Sequence, residues 1–359
     1  MTFNSGLEGI VAAETVLSEV DGEAGRLVLR GHRLQDIAGR RSVEWLIAEL
    51  WRGFAQGNLS EPSLRRDLAA MRVTVFADVV PLLPQAARLA PIEALRLLLA
   101  AVPDEATDLP LRLTATMAVG LAAVLRTRAG AAPVPPDATL GHTADLRRML
   151  HGTPATPQEV AALETYLLTV TDHGLNASTF TSRVVASTAA GLASSVTAAL
   201  CALKGPLHGG APGPVIDMLD EIGTPENAEA WLDAAVLRGD RLMGFGHRVY
   251  RVTDPRSDVV KHAVESLGRN QGRIRYAEHI ERAALAVLAK RKPARSLQTN
   301  LEFYTALLLE ALEIPRDAFT GVFAAARVAG WIAHALEQTA EARLIRPQSR
   351  YIGPLAEAA

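Results

Sequence analysis

Val160-Ala-Ala-Leu-Glu-Thr-Tyr-Leu-Leu-Thr-Val170 sets Leu163, Tyr166, Leu167 and Val170 three and four positions apart, which aligns them on one stripe of an α-helix. The same Ala-, Leu- and Glu-rich character returns over 44–51, 280–289, 301–312 and 322–338. Strand signals are few. Residues 15–18 and 27–29, on either side of Asp21-Gly22, read as one short hairpin. The expected class is therefore all-α, with a small β ornament near the start. Residues 131–157 carry Pro133, Pro135, Pro136, Pro154 and Pro157 and read as long connections around a short helix near 144–150.

Composition sets the outer bounds. The 359 residues suffice for two domains or one large one. With 49% hydrophobic and 21% charged residues the chain can bury a sizeable core, which excludes disorder. A net charge of −2 gives no electrostatic footprint for nucleic acid. The single cysteine, Cys201, can form neither an internal disulfide nor a cysteine metal cage, and is expected to be a small buried apolar residue. Residues 1–20 carry Glu8, Glu14 and Glu19 and lack the basic start and apolar run of a signal peptide. Residues 184–203 hold no charge, but they are mostly Ala, Ser, Thr and Gly, too weakly apolar for a membrane span. They are expected to form one helix buried in a bundle or at a subunit contact. All of this fits a soluble protein of a reducing cytoplasm.

Three of the nine histidines sit among glycines: His173 in Asp172-His-Gly-Leu-Asn176, His208 in Gly205-Pro-Leu-His-Gly209, and His247 in Gly244-Phe-Gly-His247. Glycines beside a histidine let the backbone bend and a ligand approach. Each could also be structural; three such contexts in one chain favour chemistry. No metal-ligand spacing, dinucleotide fingerprint or nucleophile elbow accompanies them. What remains is acid–base work by His and carboxylate, with Arg as anion clamp. Behind His208, Pro212 and Pro214 open a helical stretch at 215–222. A histidine facing a helix N-terminus stays neutral and can donate a hydrogen bond. His247, Arg251 and Arg256 fall within ten residues that end in the turn signal Asp254-Pro255. Glu302 admits two readings: Thr299-x-x-Glu302 fits a capping box, or its carboxylate is a general base near a helix start.

Taken together, Gly244-Phe-Gly-His-Arg-Val-Tyr-Arg-Val-Thr-Asp-Pro-Arg256, Leu207-His-Gly-Gly-Ala211, Asp172-His-Gly-Leu-Asn-Ala-Ser178, Asn300-Leu-Glu-Phe-Tyr304 and Arg346-Pro347 resemble the citrate synthase family, including its 2-methylcitrate synthase members. The resemblance runs along the whole chain in order. It implies a two-domain helical fold. A large domain would span 1–209 and 315–359, and a small domain at 210–314 would close over the active site. The chain begins almost at the hairpin, as short bacterial members do, and the resemblance implies a homodimer.

The resemblance also implies roles. His208 would hydrogen-bond the acyl-CoA thioester oxygen while Glu302 takes the α-proton. His247 would polarise the oxaloacetate ketone. His173, Arg256, Arg327 and Arg346 would hold the oxaloacetate carboxylates, Arg346 from the partner subunit. Arg251 would meet CoA phosphate. Coenzyme A thioester is then a substrate, and no cofactor or metal is expected. An unpaired guanidinium at Arg327, amid Ala324, Ala325, Ala326, Val328 and Ala329, would be costly, so a ligand or carboxylate partner is expected. Two departures stand out: Glu302 occupies the family's Asp position, and Pro212-Gly213 replaces the usual Asn-Glu. The expected activity is citrate synthesis from acetyl-CoA. The alternatives are 2-methylcitrate synthesis from propionyl-CoA, and a non-catalytic acyl-CoA or dicarboxylate binder motivated by Glu302.

Overall fold

The structure, a computed structural model, describes residues 6, 7, 9–209 and 212–354. Three short strands come first: β1 (Ser18–Asp21), β2 (Arg26–Leu29) and β3 (His32–Arg33), antiparallel in that order. The helices follow as α1 (Leu34–Ile37), α2 (Val43–Trp51), α3 (Glu61–Val79), α4 (Leu83–Ala86), α5 (Pro91–Ala100), α6 (Leu109–Arg128), α7 (His142–His151) and α8 (Pro157–Val170). The second half holds α9 (Ala177–Ala186), α10 (Leu192–Leu203), α11 (Pro212–Ile222), α12 (Ala228–Arg238), α13 (Pro255–Ser266), α14 (Gln271–Arg291), α15 (Leu301–Ala311) and α16 (Phe319–Glu341). Each helix expected from periodicity is present.

Three local expectations are corrected. The first strand lies at Ser18–Asp21 rather than 15–18, and a third strand pairs with the second. Asp21 Oδ1 accepts the N–H groups of Glu23 (3.2 Å) and Ala24 (2.9 Å), so Asp21 ends the strand by opening the turn itself. Residues 184–203 are not one helix. The chain breaks between α9 and α10, with Ala189 at φ 59° and Gly191 at φ 102°. Asp104 explains the break: its Oδ1 accepts Ala193 N–H (2.6 Å) and Ser194 N–H (3.3 Å), capping α10 from a distant loop. A side chain at 191 would collide with that same carboxylate. Cys201 is exposed on α10 rather than buried.

The centre of the molecule is α16, buried without interruption from Gly321 to Ala335. Two helices, Leu109–Arg128 and the span ending at Glu341, are long and apolar enough to cross a membrane, and both are packed inside the protein. Small residues let these helices approach. A Cβ on Gly321 would lie 2.8 Å from Leu121 of α6, and one on Gly120 would lie 2.6 Å from Leu98 of α5. Closest of all, Gly330 leaves no room for a Cβ against the Thr171 carbonyl oxygen. The hydrophobic core continues into α11–α15. Within that stretch α13 packs between α8 and α15, and α12 lies on α14.

Gly330→Ala is therefore expected to destabilise the fold by about 1–3 kcal/mol or more, because backbone must move to admit the methyl. Gly321→Ala meets only the end of a leucine and is expected to cost less. Urea unfolding of both variants checks this; equal losses would show that the Thr171 contact carries no special weight.

Candidate active site

The first element is the turn after α8. Thr171 Oγ1 donates to Leu167 O (2.7 Å), closing the helix. Gly174, at φ 61°, then reverses the chain, and Asn176 Oδ1 caps α9 through Ser178 and Thr179 N–H (3.1 Å each). His173 is thereby held inside, with Nε2 3.1 Å from Tyr250 Oη. Helix α16 crosses this turn at Gly330. One turn earlier, Arg327 Nε donates to Val170 O (2.5 Å). One turn later, His334 Nε2 lies 3.1 Å from Asp172 Oδ1, which gives that histidine a structural place. Arg327 is buried, its guanidinium 4.8 Å from the Phe323 ring centre, and among the described residues no carboxylate reaches it at ion-pair distance. Burial lowers its pKa to about 10.

The second element is the glycine loop. Gly244 and Gly246 adopt φ 86° and 79°, and a Cβ on Gly244 would stand 2.9 Å from the Phe303 ring. Three hydrogen bonds zip this loop to the segment entering α15: Gly246 N–H to Gln298 O (2.7 Å), Asn300 N–H to Gly244 O (2.9 Å) and Asn300 Nδ2 to Gly246 O (2.8 Å). His247 and Glu302 are thus brought together by local pairing. His247 Nδ1 accepts from Val249 N–H (3.0 Å) and Tyr250 N–H (3.1 Å), so the proton of the neutral ring sits on Nε2. Nε2 lies 3.2 Å from an Arg256 nitrogen. Two donors converge there, an arrangement that an oxygen acceptor between them would satisfy.

Glu302 resolves its two readings. The N-cap of α15 is Asn300, whose Oδ1 accepts Glu302 N–H (3.0 Å), while Thr299 Oγ1 donates to Glu281 (2.6 Å). The capping-box role is overturned, because Thr299 is turned away from the helix. Among the described residues the Glu302 carboxyl accepts no hydrogen bond. Burial pushes its pKa up to about 7; Arg256, Arg327 and Arg241 work against that rise, and Asp254 adds to it.

His208 closes the group. Its Nε2 is 2.8 Å from Ser178 Oγ, which also accepts from Trp331 Nε1 (3.1 Å). Burial and then Arg327 lower the His208 pKa to about 4. Burial and then Arg256 do the same for His247, also to about 4. His173 is lowered well below its usual value by burial, with Arg256, His247, Arg327 and His208 all adding. The helix expected after His208 is α11, although Gly210 and Ala211 lie outside the described residues.

Six expected residues, His173, His208, His247, Arg256, Arg327 and Glu302, therefore share one electrostatic environment. Two others are exposed. Arg251 still acts on the site electrostatically, adding to burial and Arg256 in lowering the His247 pKa, and its backbone N–H donates to Gly22 O (3.0 Å). Arg346 is exposed on the extended C-terminal segment. The sequence reading missed Tyr250 and Ser178, and took Asp254 only for a turn residue. Asp before Pro is also an N-cap signal, and Asp254 does cap α13. A separate cleft of about 560 Å³ between α2, α7 and α8 holds Glu44, Arg65 and Glu164 and none of these histidines.

Chemically, the site combines neutral imidazoles, two buried guanidiniums and a carboxyl whose proton affinity is near neutral pH. That set suits proton abstraction beside a carbonyl group, with N–H donors for the developing oxyanion and a clamp for carboxylates.

Known proteins agree with this reading. The family model described as citrate synthase, C-terminal domain, matches residues 6–348. The chain is 38% identical to the citrate synthase of Haloferax volcanii, covering 97% of this chain and 95% of that one. It is 34% identical to a 2-methylcitrate synthase of Mycobacterium tuberculosis, over 98% of this chain and 91% of the other. Among solved structures, the ternary complex of citrate synthase from Thermoplasma acidophilum with carboxymethyl coenzyme A and oxaloacetate superposes with a TM-score of 0.87 at 27% identity, covering 100% of this chain and 98% of that one. By both sequence and fold, the chain belongs to the citrate synthase family.

Proposed function

We propose that this protein condenses acetyl-CoA with oxaloacetate and water, giving citrate and CoA. The observation that carries the reading is Glu302: an uncapped carboxyl, lifted to about 7, among neutral histidines and the guanidiniums of Arg256 and Arg327. An α-proton of a thioester is weakly acidic, so a carboxylate needs help to remove it. A neutral His208 donating to the thioester oxygen supplies that help, on the order of 3–4 kcal/mol for one good donor. Glu302 takes the proton, and the resulting enol carbon bonds to the oxaloacetate ketone carbon. The ketone oxygen, polarised by His247 Nε2–H, gains a proton as it becomes the citryl hydroxyl, balancing the one Glu302 removed from carbon. Water then cleaves the thioester, and CoA leaves with a proton.

Arg256, Arg327 and His173 hold the carboxylates of the dianion, which would give Arg327 its missing partner. Arg346 completes that clamp from the second subunit of a homodimer, in keeping with its exposure on the C-terminal segment. Arg251, on the exposed side of the loop, meets CoA phosphate. Residues 210–314 form the smaller body, and their closure excludes water. The relative named 2-methylcitrate synthase supports a second reading in which propionyl-CoA is used. A single methylene discriminates by only about 1–3 kcal/mol.

Three measurements test this. Oxaloacetate-dependent CoA release is expected with acetyl-CoA at a higher kcat/KM than with propionyl-CoA; the reverse ratio selects the second reading. Glu302→Gln is expected to lower kcat by about 10²–10⁴-fold. Glu302→Asp, which withdraws the carboxyl by roughly 1.5 Å, is expected to lose on the order of 100-fold. Full activity in Glu302→Gln would remove Glu302 from its role. The base must be ionised, so kcat/KM should rise with pH up to about 7 and level off above it. The histidines, already neutral above about 4, add no limb near neutrality. An activity that falls as pH rises from 5 to 8 would contradict the assignment.

A further inference from the structure

Asp254 takes no part in the chemistry just described, yet its carboxylate is almost wholly buried and fully used. Oδ1 accepts Arg256 N–H and Arg256 Nε–H, each at 3.0 Å. Oδ2 accepts the terminal Arg256 nitrogen at 2.8 Å and Leu301 N–H at 3.3 Å. The first and last of these bonds reach different helices: Arg256 N–H belongs to the first turn of α13, and Leu301 opens α15, one residue before Glu302. We propose that Asp254 is a positioning residue that locks the Arg256 clamp and the Glu302 helix into one unit. Carboxylate binding and proton abstraction are thereby held in register. The inference rests on the proposed function and names a residue which that function leaves without a role.

The geometry calls for a carboxylate. A guanidinium offers two forked edges. Asp254 takes the edge formed by Nε and one terminal nitrogen, which leaves the other edge for a ligand. An amide in its place has one acceptor oxygen and an N–H₂ group that would face Arg256 N–H donors. Charge adds a second effect. The groups facing Glu302 are Arg256 and Asp254 at the start of α13, Arg327 of α16, Arg241 before the glycine loop, and the Tyr166 phenol of α8. Without Asp254, three guanidiniums face Glu302 with no carboxylate among them, and Glu302 gives up its proton at lower pH.

The test compares wild type with Asp254→Asn. The variant should bind oxaloacetate about tenfold more weakly, as expected when a charged hydrogen-bonded pair is lost. Its kcat–pH profile should move its acid limb down by about one pH unit. A purely structural role would lower stability and leave that limb in place. A folded Asp254→Asn with wild-type oxaloacetate affinity and an unmoved limb overturns the inference. Should Asp254→Asn fail to fold, Leu301→Pro removes the N–H that reaches Asp254, at a helix position where proline is tolerated, and Leu301→Ala, which keeps that N–H, controls for loss of the buried leucine side chain. Leu301→Pro should lower kcat further than Leu301→Ala while KM for oxaloacetate stays the same; equal kcat in the two overturns the tether. Calorimetric binding of oxaloacetate separates the two levels. A wild type that binds oxaloacetate without releasing CoA sinks the citrate synthase reading, and the affinity change in Asp254→Asn still decides on Asp254.

Discussion

The contact between Gly330 and the Thr171 carbonyl is the constraint on which the site depends. Helix α16 lies so close to the α8–α9 turn that no side chain fits between them. Positions three before and four after a helical residue share its face. Arg327 and His334 therefore straddle the turn, and each grips it: Arg327 through Val170 O, His334 through Asp172. Trp331, next to Gly330, reaches Ser178 on the far side of the turn, and Ser178 in turn meets His208. One buried helix thus places Arg327, supports the turn of His173 and reaches His208 through Ser178.

Electrostatics complete what packing begins. Burial keeps the three histidines neutral, so the positive charge of the site resides on guanidiniums. Arg256 is stabilised by Asp254, which raises its pKa despite burial. Arg327 has no such partner and is lowered instead. A buried unpaired cation is unfavourable and is relieved when an anion arrives. Glu302 is the mirror case: a buried carboxyl pushed toward its neutral form, near cations that oppose the push. The free site therefore holds two groups with unmet electrostatic demand. An anion would relieve the first, and a proton the second.

What could be read from sequence divides along physical lines. Helix periodicity is local, so 160–170 and 322–338 were legible, and so was the chemistry of glycine-flanked histidines. The break at 187–191 was not, because a lone Gly191 in an uncharged run of small residues is a weak signal and the contact that fixes the break comes from Asp104, far away in the chain. Cys201 looked apolar by type, but its side of α10 is exposed. Thr299 and Asn300 are both good caps, and only the zipper to Gly244 and Gly246 decides between them. Asp254 read as a turn because its bond to Leu301 N–H spans a sequence separation of 47. Local propensity carries no trace of such a bond.

The N-terminal sheet follows the same logic, and it explains why a helical enzyme keeps a β ornament. The turn between β1 and β2 lies against the segment that follows the glycine loop. Gly22 O accepts Arg251 N–H (3.0 Å), and a Cβ on Gly22 would overlap Val249 O. A Cβ on Gly25 would stand 2.7 Å from the Val252 side chain. Ser18 Oγ accepts Gly174 N–H (3.1 Å) beside His173. The sheet therefore touches both loops that carry candidate site histidines, one at each end of β1. A loop with two glycines at positive φ has little stiffness of its own. Backbone bonding to a preformed turn supplies it from outside, and it leaves the Arg251 side chain exposed.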